Sequence, residues 1–415
     1  MMTLSIFGLG NIGLPMTCMF AQYYKVIGAD IDKGRIEKAN KGISYLANEE
    51  SFPEILQEVI KKGNFEATID LNYAAKNSNV KIIIVPLLID EQEDDKLDFS
   101  IIDSVVETIA KNLNEEDLII IATTMPLGGS RRIYNKIKEK TEKHFYLTYA
   151  PESTASPHII KDLTESYQQI IAGINEESIK KAEDLYKTIN KKGVIIASSL
   201  ESAELTKLME GIYRYANIAL ADEVVKICDK FKIDFKELRE NFNRVPAYNL
   251  HKPSVKVGGH CIPVYPHFVL PYTEEISLIK DSIKIDRNMP EYCVNKLNDV
   301  IDLKNKKILI LGLSYKGGVK EDRFSPAYEI INLLKNSKLY CYDPYYSEDE
   351  IKEKTKIGYL NITNLENVDG VILVTDHPEF KSLNLKGINF IFDGKNFLDK
   401  EKIERQGIKY LGIGR

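Results

Sequence analysis

The chain has 415 residues, which at roughly 150 residues per domain predicts two or three domains rather than one small binding module. Hydrophobic residues make up 44% and charged residues 28%, enough for substantial cores and outside the composition of disordered chains. A formal charge of −5, from 56 basic and 61 acidic residues, argues against a nucleic-acid or polybasic membrane partner.

The chain enters a strand at once, with no signal-peptide pattern, so a cytoplasmic location is expected. Thr3-Leu-Ser-Ile-Phe leads into Gly8-Leu-Gly10-Asn11-Ile12-Gly13 and then a helix-like segment to Gln22. Strand, glycine turn and helix in that order form a dinucleotide fingerprint, in which helix-start amides face a pyrophosphate. A second apolar run, Lys25 to Ala29, ends at Asp30, where such a fold places the carboxylate for the adenosine ribose hydroxyls. That acid favours NAD over NADP.

Apolar runs at Val80–Leu88, Leu118–Ala122 and Phe145–Tyr149 alternate with charged helical segments, the pattern of a parallel doubly wound sheet. The longest, residues 81–89, is far short of the ~20 residues that span a bilayer. The acidic stretch Asp90 to Asp98 reads as a solvated loop. The first domain is expected to continue through Ile170–Ala172 and Gly193–Ala197. From Ser202 to Lys232 apolar residues recur at helical spacing, predicting one long helix that connects domains and offers a dimer interface. Around Lys304 the pattern restarts. Lys306–Gly312 is again strand and glycine turn, Leu339–Asp343 again a strand ending in an acid, and Val371–Thr375 and Phe390–Asp393 supply further strands. The fold class is therefore α/β: two Rossmann-like doubly wound domains joined by a long central helix and a small helical domain. The divisions fall at 1–200, 201–300 and 301–415.

Five cysteines, at 18, 228, 261, 293 and 341, are widely spaced with no CxxC pair, which argues against a disulfide framework or a zinc knuckle. No metal is expected. Four have apolar surroundings and read as small core residues. Cys261 follows Gly258-Gly259-His260, where backbone can approach a ligand closely and amides can stabilise a thiolate; a buried cysteine in a turn is the alternative. Lys207, Gly211 and Arg214 share one face of the long helix over about 10 Å, suited to an anionic ligand or simply a solvated basic face. Pro151-Glu152 and Thr123-Thr124 each follow a predicted strand, where ligands of open α/β sheets bind; solvent-facing loop positions are the alternative.

Taken together, Gly8–Pro15, Ala122–Gly128, Pro151-Glu152, Ala203–Asn217, Gly258–Pro266, Leu311–Lys316 with Arg323–Ala327, and Asp393–Asn396 resemble the UDP-glucose/GDP-mannose dehydrogenase family over almost the whole chain. They come nearest its UDP-N-acetyl-D-mannosamine branch. The resemblance implies a four-electron oxidation of a sugar 6-hydroxymethyl group to a carboxylate with two NAD molecules. It implies Cys261 as the nucleophile, through a thiohemiacetal and a thioester, and Lys207 as oxyanion stabiliser. Glu152 matches the acid/base glutamate and Thr124 a hydroxyl that holds the cofactor or a catalytic water. NAD would be held by Gly8, Gly10, Asn11, Ile12, Gly13, Asp30, Arg35, Pro86, Thr124 and Arg323. The UDP-sugar would meet Glu152, Ser153, Lys207, Arg214, Gly258, Tyr315 and Lys316. The N-terminal domain would bind NAD, the C-terminal domain UDP, and the active form would be a homodimer or higher homo-oligomer.

Several positions depart from the family pattern. Tyr265 stands where an aspartate is common, Gly211 where an asparagine is expected, Ser156 where UDP-glucose enzymes carry a second glutamate, and Leu87 where a threonine often lies near NAD. Val245 and Ala247 replace a histidine and an arginine of the N-acetylhexosamine branch. The alternatives are UDP-glucose, another UDP-N-acetylhexosamine, an unusual acetamido sugar whose extra polar groups Tyr265 or a pocket near Gly211 accommodates, or a catalytically impaired nucleotide-sugar-binding homologue. A single-hydride β-hydroxyacid dehydrogenase would need neither Cys261 nor the third domain.

Overall fold

The computed structural model describes residues 2–415 apart from 47, 48, 50, 91–95 and 155–157. The chain divides into two compact units, Met1–Met209 and Glu210–Arg415.

The first unit is built on an eight-stranded sheet: β1 (Thr3–Phe7), β2 (Lys25–Ala29), β3 (Phe65–Thr68), β4 (Val80–Ile83), β7 (Asp117–Ile121), β8 (Phe145–Tyr149), β9 (Gln169–Gly173) and β10 (Val194–Ile196). The intervening β5 (Leu88–Asp90) and β6 (Lys96–Asp98) lie outside it. The order β10-β9-β8-β7-β4-β1-β2-β3 contains the dinucleotide-fold order, with the reversal of direction beside β1. Its strands read as unbroken apolar runs because both faces are covered: Leu4, Ile6 and Ile82 join one core, Phe7, Ile83 and Ile121 the other.

Two expectations need correction here. The sheet is not wholly parallel, since β8 and β9 pair antiparallel, the connecting segment returning alongside β8 instead of crossing over. And the flanks of the acidic stretch are not loop: β5 and β6 form an antiparallel ribbon pairing 88 with 98 and 90 with 96. Acidity speaks to exposure, whereas the ribbon is set by backbone hydrogen bonding. Residues 91–95 lie outside the described residues.

Inside this sheet sits a buried ion pair. Lys81 Nζ donates to Asp117 Oδ2 at 2.6 Å and to Ser78 O at 2.5 Å, with both side chains almost fully buried. Burial pulls the lysine pKa down and pushes the aspartate up, opposed by their mutual attraction.

The second unit carries a six-stranded, wholly parallel sheet: β11 (Lys307–Leu311), β12 (Lys338–Tyr342), β13 (Gly358–Tyr359), β14 (Gly370–Leu373), β15 (Phe390–Asp393) and β16 (Lys409–Gly412), in the order β13-β12-β11-β14-β15-β16. This is the Rossmann order once more. Asp343, after β12, accepts from the Leu313 and Ser314 amides and contacts His377 Nε2 at 2.9 Å, so this carboxylate is committed to its own glycine turn.

The long helix runs Leu200–Phe231, within two residues of its predicted limits. Its start is tied down by Glu204, whose carboxylate accepts the Gly128 and Ser130 amides at 2.6 and 2.7 Å, at the positive end of helix Gly129–Lys138. In the second unit the helix exposes Tyr213, Leu220 and Ile227 at seven-residue spacing. Among the described residues, no helix is long and apolar enough to cross a membrane.

Candidate active site

In the first unit, the sequence-predicted residues gather beyond the carboxyl ends of β1, β4, β7 and β8. The glycine turn explains its own spacing. Gly8 has φ of +104°, and a Cβ there would lie 2.6 Å from Ile84 O; a Cβ on Gly13 would lie 1.9 Å from Gly8 O. Both are required for the chain to turn from β1 into helix Gly13–Ala21. Gly10 differs, because a Cβ there meets nothing within 4 Å. It faces open space, which fits the close approach of a pyrophosphate to the Gly10, Asn11 and Ile12 backbone.

Asp30 is buried, its Oδ2 accepting the Leu9 amide at 2.7 Å and its Oδ1 the Asp32 amide at 2.9 Å. Arg35 lies 3.5 Å from Asp30 Oδ2 and is about half exposed, at the rim where an adenosine would lie. Each carboxylate oxygen keeps lone-pair capacity for a ribose hydroxyl. Pro86, just past β4, is exposed. Thr123 and Thr124 separate: the Thr123 hydroxyl donates to Val85 O at 2.7 Å and is buried, so it is structural, whereas Thr124 is partly exposed.

Glu152 is not a solvent-facing loop acid. It is buried beside Tyr186, whose hydroxyl lies 3.4 Å from Glu152 Oε1. Burial pushes its pKa up to about 8, against the opposing pull of Lys207 and the Tyr186 hydrogen bond. Lys207 is likewise buried and reaches Ser153 Oγ at 3.5 Å, so the solvated-face reading fails at this residue. Glu152 and Lys207 are thus both buried and act on each other electrostatically. Tyr186, in the helix Glu176–Tyr186, carried no motif and was not legible in the sequence.

The second unit holds the other predicted residues. The glycine pair before Cys261 is explained by packing. A Cβ on Gly258 would lie 2.5 Å from Tyr315 Cβ, and one on Gly259, whose φ is +89°, would lie 2.9 Å from the Tyr315 ring. The Gly259 amide donates to Arg323 O at 2.8 Å. The close approach expected for a ligand is therefore made to Tyr315. Asp286 anchors the start of this loop, accepting the Val257 amide at 2.7 Å and the Tyr215 hydroxyl at 2.9 Å.

Among the five cysteines only Cys261 is exposed; Cys18, Cys228, Cys293 and Cys341 are buried, and burial pushes their thiols up. The adjacent His260 has its pKa raised, chiefly by a hydrogen bond with Cys261. His260 was visible in the motif but given no role there. Cys261 and Arg214 both act on the Tyr315 hydroxyl, the first raising and the second lowering its pKa, after the larger rise from burial. Arg214, Lys316 and Arg323 are exposed.

Two of the departures from the family pattern, Gly211 and Tyr265, meet each other. A Cβ on Gly211 would lie 2.3 Å from Tyr265 Cδ2, so the pocket expected near Gly211 is filled by the Tyr265 ring. Ser156 lies outside the described residues.

The fold and the glycine turn define a dinucleotide-binding protein. The chain belongs to the UDP-glucose/GDP-mannose dehydrogenase family: its NAD-binding-domain model matches residues 2–190, its central-domain model 201–289 and its UDP-binding-domain model 309–400. The chain is 33% identical, over 100% of its length and 99% of the relative's, to a UDP-N-acetyl-D-mannosamine dehydrogenase from Pyrococcus horikoshii. It is 34% identical to one from Methanococcus aeolicus, over 99% and 95% of the two chains. A solved UDP-D-ManNAc dehydrogenase structure from Pyrococcus horikoshii superposes with a TM-score of 0.89 at 30% identity, covering 100% of this chain and 99% of that one.

Proposed function

We propose that this chain oxidises the C6 alcohol of a UDP-sugar to a carboxylate in two NAD-dependent steps, acting on UDP-N-acetyl-mannosamine. The sugar is drawn from the names of the relatives that match over nearly their whole length. The chemistry rests on one observation above the others: a single exposed cysteine, paired with a histidine, in a protein whose other four thiols are buried.

Bound NAD supplies a hydride acceptor for C6 in each oxidation. Gly8, Gly10, Gly13 and the Asn11 and Ile12 amides would hold its pyrophosphate and Asp30 and Arg35 its adenosine end, and Pro86, Thr124 and Arg323 are the further residues that the family resemblance assigns to it. Arg214, Gly258, Tyr315 and Lys316 hold the nucleotide-sugar, and Ser153 contacts it beside Lys207. Lys207 takes the developing negative charge of the alcohol oxygen. Glu152, with a pKa near 8, exchanges protons with substrate or water close to neutral pH. The Cys261 thiolate attacks the aldehyde carbon, forming a C–S bond as the carbonyl oxygen takes a proton. The thiohemiacetal becomes a thioester when its hydroxyl proton passes to a base and its carbon-bound hydride leaves, for which a second NAD would be the acceptor. Water then breaks the C–S bond, releasing the carboxylate and returning the thiolate.

In this reading residues 1–200, 201–300 and 301–415 serve as cofactor, connecting and nucleotide-binding segments, and the exposed ridge Tyr213, Leu220 and Ile227 pairs two copies of the chain in the cytoplasm. The test is NADH formed per sugar consumed, across a panel of UDP-sugars, for wild type and Cys261→Ser. Two NADH per UDP-N-acetyl-mannosamine, lost in the variant, is the expected result. One NADH would mean an oxidation that stops at the aldehyde. None with any sugar, despite NAD binding, would make this a nucleotide-sugar-binding protein.

A further inference from the structure

Glycine is disfavoured in a helix interior relative to alanine, yet Gly211 sits buried within the long helix, one turn beyond Lys207. What occupies its missing side chain is the ring of Tyr265. A Cβ at Gly211 would meet Tyr265 Cδ2 at 2.3 Å and Cγ and Cε2 at 3.1 Å, contacts with the body of a buried ring and not with a flexible tip. The other end of the same residue holds the cysteine. The Tyr265 amide donates to Cys261 O at 3.0 Å, and the Val264 amide joins it at 3.1 Å. Pro263 lies within the turn and Pro266 follows it, both limiting the backbone, and Phe268 packs against the Tyr265 ring at 6.1 Å between centroids.

We propose that Tyr265 is a positioning residue for Cys261. Its ring is seated on the helix at Gly211, its amide closes the turn on the Cys261 carbonyl, and the two positions form one coupled unit. A side chain at 211 and the ring at 265 exclude each other. The inference builds on Cys261 as the nucleophile, but its test needs neither a sugar nor NAD.

Iodoacetamide serves as the probe, because the other four cysteines are buried in the native protein. Its rate with Cys261 is measured on the full chain beside the melting temperature, for Gly211→Ala, Tyr265→Ala, Tyr265→Phe and the double variant Gly211→Ala/Tyr265→Ala. Gly211→Ala alone is expected to lower the melting temperature and to slow alkylation by roughly two-fold or more, the lower end of coupling between touching residues. In the Tyr265→Ala background the same alanine is expected to raise the melting temperature and leave alkylation unchanged. Tyr265→Phe keeps the ring and is expected to keep the wild-type rate. Equal effects of Gly211→Ala in both backgrounds, a melting change without an alkylation change, or Tyr265→Phe behaving like Tyr265→Ala would each overturn the proposal. A failure of the sugar oxidation would leave these results intact, so the two readings fail separately.

Discussion

Replacing Glu152 with glutamine tests the most consequential electrostatic feature of the first unit. In the folded protein the carboxyl titrates near 8, against an ordinary value of 4.5, mainly because burial penalises its charged form. At 1.36 kcal/mol per unit the difference amounts to about 5 kcal/mol, an order-of-magnitude ceiling for one buried group near a lysine. Its sign follows from proton binding. Between about pH 4.5 and pH 8 the unfolded chain has released this proton and the folded chain has kept it, so stability falls as pH rises through that window. Glutamine removes the titration, and Glu152→Gln should therefore gain stability relative to wild type as pH goes from 5 to 9, by at least about 1 kcal/mol. The measurement is the denaturant midpoint of the full chain at both pH values, with infrared difference spectroscopy following the protonated carboxyl band. That band should vanish near pH 8 in wild type and be absent in the variant. A band lost near pH 4.5, or a stability difference that does not change with pH, would refute the burial reasoning.

Two further predictions concern the same unit. Asp117→Ala leaves the Lys81 ammonium buried without its carboxylate and should destabilise the protein by about 3–5 kcal/mol, read as a fall in denaturant midpoint. The glycine turn separates ligand space from chain packing. Gly10→Ala should weaken NAD binding in calorimetry with little change in melting temperature, whereas Gly13→Ala, with its Cβ 1.9 Å from Gly8 O, should lower the melting temperature itself. Equal melting losses in both would contradict the division of roles.

Most of the first turn was legible before any coordinates. Strand, GxGxxG, helix and a following acid are neighbours in sequence, and each residue's constraint is local: Gly8 needs a positive φ, and Gly13 needs room for a carbonyl five residues back. The same holds for the second sheet, whose β15 coincides with the predicted Phe390–Asp393, and for the long helix. Periodicity in a run of residues reports which face is buried, whatever buries it.

Contacts made across the chain were not legible in that way. Glu152 read equally well as a loop acid, because Tyr186 and burial, which decide its protonation, come from a helix 34 residues on. The antiparallel pairing of β8 with β9 depends on the path of a connecting segment and not on the composition of either strand. The glycine pair at 258–259 signalled close approach but not to what; Tyr315 supplies the answer from another part of the second unit. Tyr265 and Gly211 are the sharpest case, two separate departures in the sequence that become one contact in the fold. Sequence by itself determined the main apolar strands, the long helix, the nucleotide turn and the residues available for chemistry, since these follow from local backbone geometry and burial period. Tertiary structure decided which groups are charged and which positions are coupled, because desolvation and exclusion of volume depend on what arrives from elsewhere in the chain.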